Sequence, residues 1–136
     1  DGRLDKLIPH GIIWMQGESD AEDSQESADS YLKNLKNLMV LFRAALRNEN
    51  LPVVIGKIND SHMTPDGKPT QPFIEIVHLA QKKFTDSDEC AFYVTEIESY
   101  EFSNDAWHYD TDGYIRMGIA FAKAVNKLEN ECLGIN

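Results

Sequence analysis

Cysteine is scarce in this chain of 136 residues, and the two present, Cys90 and Cys132, form no CxxC pattern. That spacing excludes the usual thiolate metal sites and the thioredoxin-type redox pair. Whether the two cysteines pair with each other is left open by the sequence. Long apolar runs are also missing, and none approaches the roughly 20 residues that a membrane helix needs. Positive charge is in short supply: 13 Lys and Arg stand against 23 Asp and Glu, for a formal net charge of −10. A surface of that sign repels nucleic-acid phosphate, and no basic stripe offsets it, so neither nucleic acid nor membrane is an expected partner. No internal repeat, linker, low-complexity segment or signal-peptide pattern stands out. Asp1-Gly2-Arg3-Leu4 reads like the middle of a fold, which leaves the compartment open.

What is present fits one globular domain spanning 1–136, with 42% hydrophobic and 26% charged residues. Gly11-Ile12-Ile13-Trp14-Met15 is a short continuous apolar run, the mark of a strand buried on both faces. The acidic stretch Glu18 to Glu26 follows and is read as a solvated loop leading into a helix N-terminus, where negative charge is favoured. It lacks the regular oxygen spacing and glycine turn of a calcium loop. Tyr31, Leu35, Leu38, Phe42, Ala45 and Leu46 then recur at helical spacing, until Leu51-Pro52 stops the helix.

A second strand reads Val53 to Ile58, and Pro65-Asp66-Gly67 marks a turn in the polar loop after it. A second helix opens at Thr70-Gln71-Pro72 and carries the stripe Phe73, Ile76, Val77, Ala80 and Phe84. A third strand reads Ala91 to Ile97. The last helix starts near Thr111-Asp112, with Tyr114, Gly118, Phe121, Val125 and Leu128 expected to be buried. Strands alternating with helices predict an α/β fold with a parallel sheet, right-handed crossovers and helices on both faces.

In such sheets ligands bind beyond the carboxyl ends of the strands. Two polar clusters fall there, Gln16-Gly17-Glu18 after the first strand and Asp105-Ala106-Trp107-His108 after the third. Three positions separate Asp105 from His108. A carboxylate so placed can accept from imidazole Nδ1–H and leave Nε2 as a general base. The amide of Gln16 is a candidate donor to a developing oxyanion. Gly17 suits a turn with unusual backbone angles. His62, Asp105, His108 and Asp110 supply metal-ligand types, but no spacing among them defines a site. His10 and His78 read as ordinary packing or surface histidines.

These residues carry a resemblance. Trp14-Met15-Gln16-Gly17-Glu18-Ser19-Asp20 resembles the W-x-Q-G-E-S/A-N/D signature of the SGNH hydrolase superfamily, in carbohydrate esterase family 6 and the sialic-acid-specific acetylesterase domain. Asp105-Ala106-Trp107-His108 resembles that family's closing D-x-x-H block. The resemblance runs from about Ile8 to about Leu128.

It implies a three-layer α/β/α, flavodoxin-like fold with strand order 2-1-3-4-5, of which the three strands here would be strands 3, 4 and 5. It also implies a serine esterase that removes acetyl groups from an acetylated carbohydrate such as xylan or sialic acid, with no metal or organic cofactor. His108 would be the general base, Asp105 its orienting partner and Gln16 an oxyanion-hole donor. Glu18, Gly17 and Trp107 would belong to the substrate-binding side. An extracellular or periplasmic address would suit a parent acting on polysaccharide.

The family's nucleophile is a serine in an early G-Q-S-N or G-D-S block, and neither block occurs here. Ser19, in Gly17-Glu18-Ser19-Asp20-Ala21, imitates a nucleophile elbow imperfectly, and Ser61 beside His62 is a weaker substitute. The chain thus reads as the C-terminal portion of the domain, inactive by itself. It should pair with the missing N-terminal segment or with a second copy, because its first strand would be an open apolar edge. The competing expectation is a non-catalytic relative that binds a glycan or a protein partner through the same crevice.

Overall fold

The computed structural model describes residues 8–105 and 107–133. The reading of Asp1-Gly2-Arg3-Leu4 therefore lies outside the described residues, as does Ala106 within the D-x-x-H block. Three parallel strands, β1 (Ile12–Trp14), β2 (Val53–Gly56) and β3 (Ala91–Val94), lie in the order β1-β2-β3. Ile12 is in register with Val53, and Val53 with Ala91. Helix α1 (Glu18–Asp23) and the long helix α2 (Gln25–Ala45) join β1 to β2; α3 (Ile74–Asp86) joins β2 to β3; α4 (Thr111–Leu128) follows β3.

Because the strand order advances steadily, two right-handed crossovers place α2 and α3 on the same face. There Ala28, Tyr31, Leu35 and Met39 of α2 meet Val53, Ile55, Val77 and Phe84. Helix α4 covers the other face, packing Met117, Ala120, Phe121 and Ala124 against Val54 and Val94. The result is the expected α/β/α sandwich, with a three-stranded sheet. Gly56 marks where the α4 side closes tightly on β2. A Cβ there would lie 2.8 Å from Phe121 Cζ and 3.0 Å from Ile97 Cδ1.

Several boundaries differ from the sequence reading. The acidic stretch is not a loop throughout: Glu18–Asp23 forms α1, and Ser24 then caps α2 by accepting from the Ser27 amide at 3.1 Å. Strand β2 ends at Gly56 although Ile58 is buried, and β3 ends at Val94. Ile97 fills the core from a 3-10 turn, Glu96–Ser99, instead of from a strand. Helix α3 begins at Ile74, two residues beyond Pro72.

On α2 the buried stripe turns to Met39, leaving Phe42, Ala45 and Leu46 exposed. On α4 it runs through Gly113, Met117, Ala120, Phe121, Ala124 and Leu128, so Tyr114 and Gly118 are exposed. Ile13 is not buried. It is 53% exposed, although it stands on the same face of the sheet as Val54, its partner in register, which α4 covers. Cys90 and Cys132 are joined as a disulfide that ties the start of β3 to the short turn Glu129–Leu133 after α4. Among the described residues, no helix is long and apolar enough to cross a membrane.

Candidate active site

Both predicted clusters lie at the carboxyl edge of the sheet. The first leaves β1 through Gln16 and turns at Gly17, whose φ of 139° lies where only glycine sits without strain. Space demands glycine as well, since a Cβ would stand 2.9 Å from Val77 Cγ1 and 3.2 Å from Tyr31 Cε2. The turn carries the chain into α1, with Glu18 as its first residue. Burial pushes the Glu18 carboxyl above its ordinary range, outweighing bonds from its own amide and that of Gly17. The Gln16 side chain is exposed, whereas its backbone carbonyl accepts from Tyr31 Oη at 2.7 Å and from Gln81 Nε2 at 3.2 Å.

The second cluster sits in a narrow loop after β3. Phe102 pairs antiparallel with Tyr109, the Ser103 amide donates to the His108 carbonyl at 2.7 Å, and the Asp110 amide donates to the Glu101 carbonyl at 3.0 Å. Aromatic rings clamp its base. Tyr109 stacks on Phe102 with ring centres 4.8 Å apart, and meets Tyr100 and Tyr114 edge-on. Asp110 then caps α4, accepting from the Gly113 amide at 2.7 Å.

Within this loop the Asp105 carboxylate does two jobs. Its Oδ1 accepts from the amides of Trp107 and His108, both at 2.8 Å, which fixes the turn. Both carboxylate oxygens also lie 3.0 Å from His108 Nδ1. The Trp107 amide, with the His108 ring next, holds the Asp105 carboxyl down at about 2, so it is ionised throughout the neutral range. Nδ1 faces the carboxylate, and Nε2 is the nitrogen left for proton transfer. The pair stands in solvent: the two side chains are 66% and 50% exposed, and Trp107 is exposed beside them.

The two clusters approach each other through Tyr109. Burial raises its hydroxyl, and the Glu18 carboxylate nearby adds to the effect. Among the described residues, no serine hydroxyl bonds to His108. Ser103 Oγ instead donates to Asp105 Oδ2 at 3.3 Å. Ser19 is exposed in the first turn of α1. Ser61 Oγ accepts from the Met63 amide at 3.2 Å, and no hydrogen bond joins it to His62. The four residues weighed as metal ligands do not converge, and no group of three or more His, Cys, Asp or Glu among the described residues is placed to hold a metal ion.

Sequence reasoning passed over two further groups. Asp60, buried in the loop after β2, is pushed up by burial, yet the His62 and Gln71 amides and the Thr70 hydroxyl outweigh this and lower it. These bonds tie the start of the loop after β2 to the segment that leads into α3. Gln81, fully buried on α3, holds the Gln16 carbonyl. A glutamine on the apolar stripe between Val77 and Phe84 was the signal for it.

The fold has counterparts in known proteins. A solved protein of Arabidopsis thaliana superposes with a TM-score of 0.71 at 24% identity, over 87% of this chain and 44% of that one. A carbohydrate acetylesterase from Xanthomonas citri superposes with a TM-score of 0.56 at 16% identity, over 93% of this chain and 27% of that one. The chain therefore spans less than half the length of either. No curated protein matches it. The model of the family described as carbohydrate esterase, sialic acid-specific acetylesterase, matches residues 4–127. With Gln16-Gly17-Glu18 and the Asp105–His108 pair set at one edge of a parallel sheet, the chain belongs to that carbohydrate esterase family.

Proposed function

We propose that this chain forms the base-bearing part of a carbohydrate O-acetylesterase, acting on an acetylated glycan such as acetylated sialic acid or xylan. The observation that carries this is the Asp105 carboxylate at 3.0 Å from His108 Nδ1, at the sheet edge that also holds Gln16. A serine supplied from outside these residues attacks the acetyl carbonyl, and His108 Nε2 takes its proton. Asp105 holds the ring and stabilises the imidazolium. The Gln16 amide donates to the tetrahedral oxyanion. His108 then returns the proton to the departing sugar hydroxyl. In the second half it activates water, which frees acetate and the serine. Glu18, Gly17 and Trp107 border the sugar. No metal or organic cofactor enters these steps.

The nucleophile needs an entry route, and β1 offers one. Its outer edge pairs with no strand among the described residues. On it Ile13 is more than half exposed. A strand from a segment outside the 136 residues, or a second copy, would cover this flank. The lack of a serine on His108 favours a second reading, in which the isolated chain binds glycan without hydrolysing it.

The deciding experiment measures acetate release from an acetylated sugar by the polypeptide that contains this chain and its nucleophile. His108→Ala should cut kcat by about a thousand-fold or more. An unchanged rate would sink the esterase reading.

A further inference from the structure

We propose that Gln81 on α3 is a positioning residue for the carboxyl-edge site, acting together with Tyr31 on α2; the proposal rests on the reading of Gln16 as oxyanion donor. Gln81 is fully buried and Tyr31 is 5% exposed. Neither side chain touches the exposed face on which Asp105 and His108 stand. What they hold is the backbone carbonyl of Gln16.

The polar groups form a closed chain of bonds. Tyr93 Oη donates to Gln81 Oε1 at 3.1 Å, which sets the direction of the Gln81 amide. Its Nε2 then faces three acceptors: the Gln16 carbonyl at 3.2 Å, the Gly56 carbonyl at 3.4 Å and Tyr31 Oη at 3.5 Å. Trp14 Nε1 donates to Tyr31 Oη at 3.3 Å, and Tyr31 Oη donates on to the Gln16 carbonyl at 2.7 Å. Burial raises both tyrosine hydroxyls, so they remain protonated donors well above neutral pH. The network thus bridges α2, α3 and the carboxyl ends of β1 and β2.

The consequence is directional. Past Trp14 the strand pairing stops, so β2 no longer dictates where the Gln16 peptide points. Two buried donors from two different helices hold its carbonyl inward, while Gln16 itself remains an exposed residue. An oxyanion donor misplaced by about 1 Å can cost a hundred-fold in rate. A glutamine filling space alone would need no donor at this carbonyl. A buried amide also costs stability unless its bonds are made, so an apolar residue would be the cheaper filler.

The test compares Gln81→Met, which keeps the volume and removes the donor, with Tyr31→Phe, which removes the second donor. Phe84→Leu serves as a packing control on the same helix, with Phe84 buried at 3% exposure. Two readouts are taken: the carbonyl ¹³C resonance of Gln16 in the folded 136-residue chain, and kcat and KM for acetate release by the polypeptide with its nucleophile.

Gln81→Met and Tyr31→Phe should each move the Gln16 carbonyl resonance upfield and lower kcat about ten-fold or more, with KM within two-fold. Phe84→Leu should lower Tm and leave both readouts unchanged. If Gln81→Met does not fold, Tyr31→Phe carries the same comparison. Loss of Tm in both donor variants with an unmoved Gln16 resonance and wild-type kcat would overturn the proposal. Absence of esterase activity in the unmutated polypeptide would defeat the esterase reading alone. The carbonyl resonance would still decide the positioning role.

Discussion

Breaking the Cys90–Cys132 disulfide gives the sharpest test of how the site-bearing half of the chain is held. The bond closes a segment of 42 residues. That segment contains the 3-10 turn after β3, the Asp105–His108 loop and all of α4. On the chain-entropy account, opening a loop of this size releases about 4 kcal/mol of constraint on the unfolded chain. Unfolding entropy for 136 residues is roughly 0.29 kcal/mol/K, so Tm should fall by about 14 °C.

Packing contributes little to this figure, because both cysteines are only half-buried and Cys132 lies at the margin of the α4 core. The folded state should nevertheless survive. Met117, Ala120, Phe121, Ala124 and Leu128 are buried in the core that α4 shares with the sheet and should stay so without the bond. Faster amide exchange should therefore be confined to Glu129–Leu133. The assay is a thermal melt of the oxidised chain, of the same chain in reductant, and of Cys90→Ala combined with Cys132→Ala. A thiol titration in denaturant runs alongside. Two free thiols in the unreduced protein, or a Tm shift below about 3 °C, would refute the reasoning.

Two further expectations concern the site's borders. Burial raises the Glu18 carboxyl, so the native state favours its protonated form. That contribution is complete below the unfolded value of about 4.3 and is lost as pH rises through the higher folded value. Glu18→Gln should therefore melt above wild type at pH 7 and level with it at pH 3, and equal melting at both pH values would refute the burial argument. The exposed flank at β1 should make the isolated chain self-associate, and Ile13→Lys should reduce this; sedimentation of the unmutated chain as a stable monomer across a hundred-fold concentration range would count against an open edge.

What could be read from the sequence was local. Apolar runs located all three strands, and the caps Ser24 and Asp110 stand where helix-start residues belong. The Asp105–His108 contact was also legible, because three residues of chain bring the two groups together whatever the rest does. Strand ends were less legible, since Ile58 and Ile97 fill the core from outside the sheet and look like strand residues in a linear pattern. The α4 stripe was shifted because Ile115 and Ile119 give that helix a second apolar face. The role of Gln81 was hidden for a different reason. Its partners lie at Gln16, Tyr31, Gly56 and Tyr93, and no local pattern joins them.

The two halves of the carboxyl edge are stiffened by opposite means. The Gln16 turn is held from beneath, by buried donors and by a glycine wedged against Tyr31 and Val77. The histidine loop is held at its base by stacked aromatic rings, while its carboxylate–imidazole pair stands in water. An exposed carboxylate–imidazole contact orients a ring but contributes little in high dielectric. It becomes effective when something dry covers it. Ile13, on the open edge of β1, is a side chain that a covering strand would take out of water, at roughly 1.5 to 3 kcal/mol if fully buried.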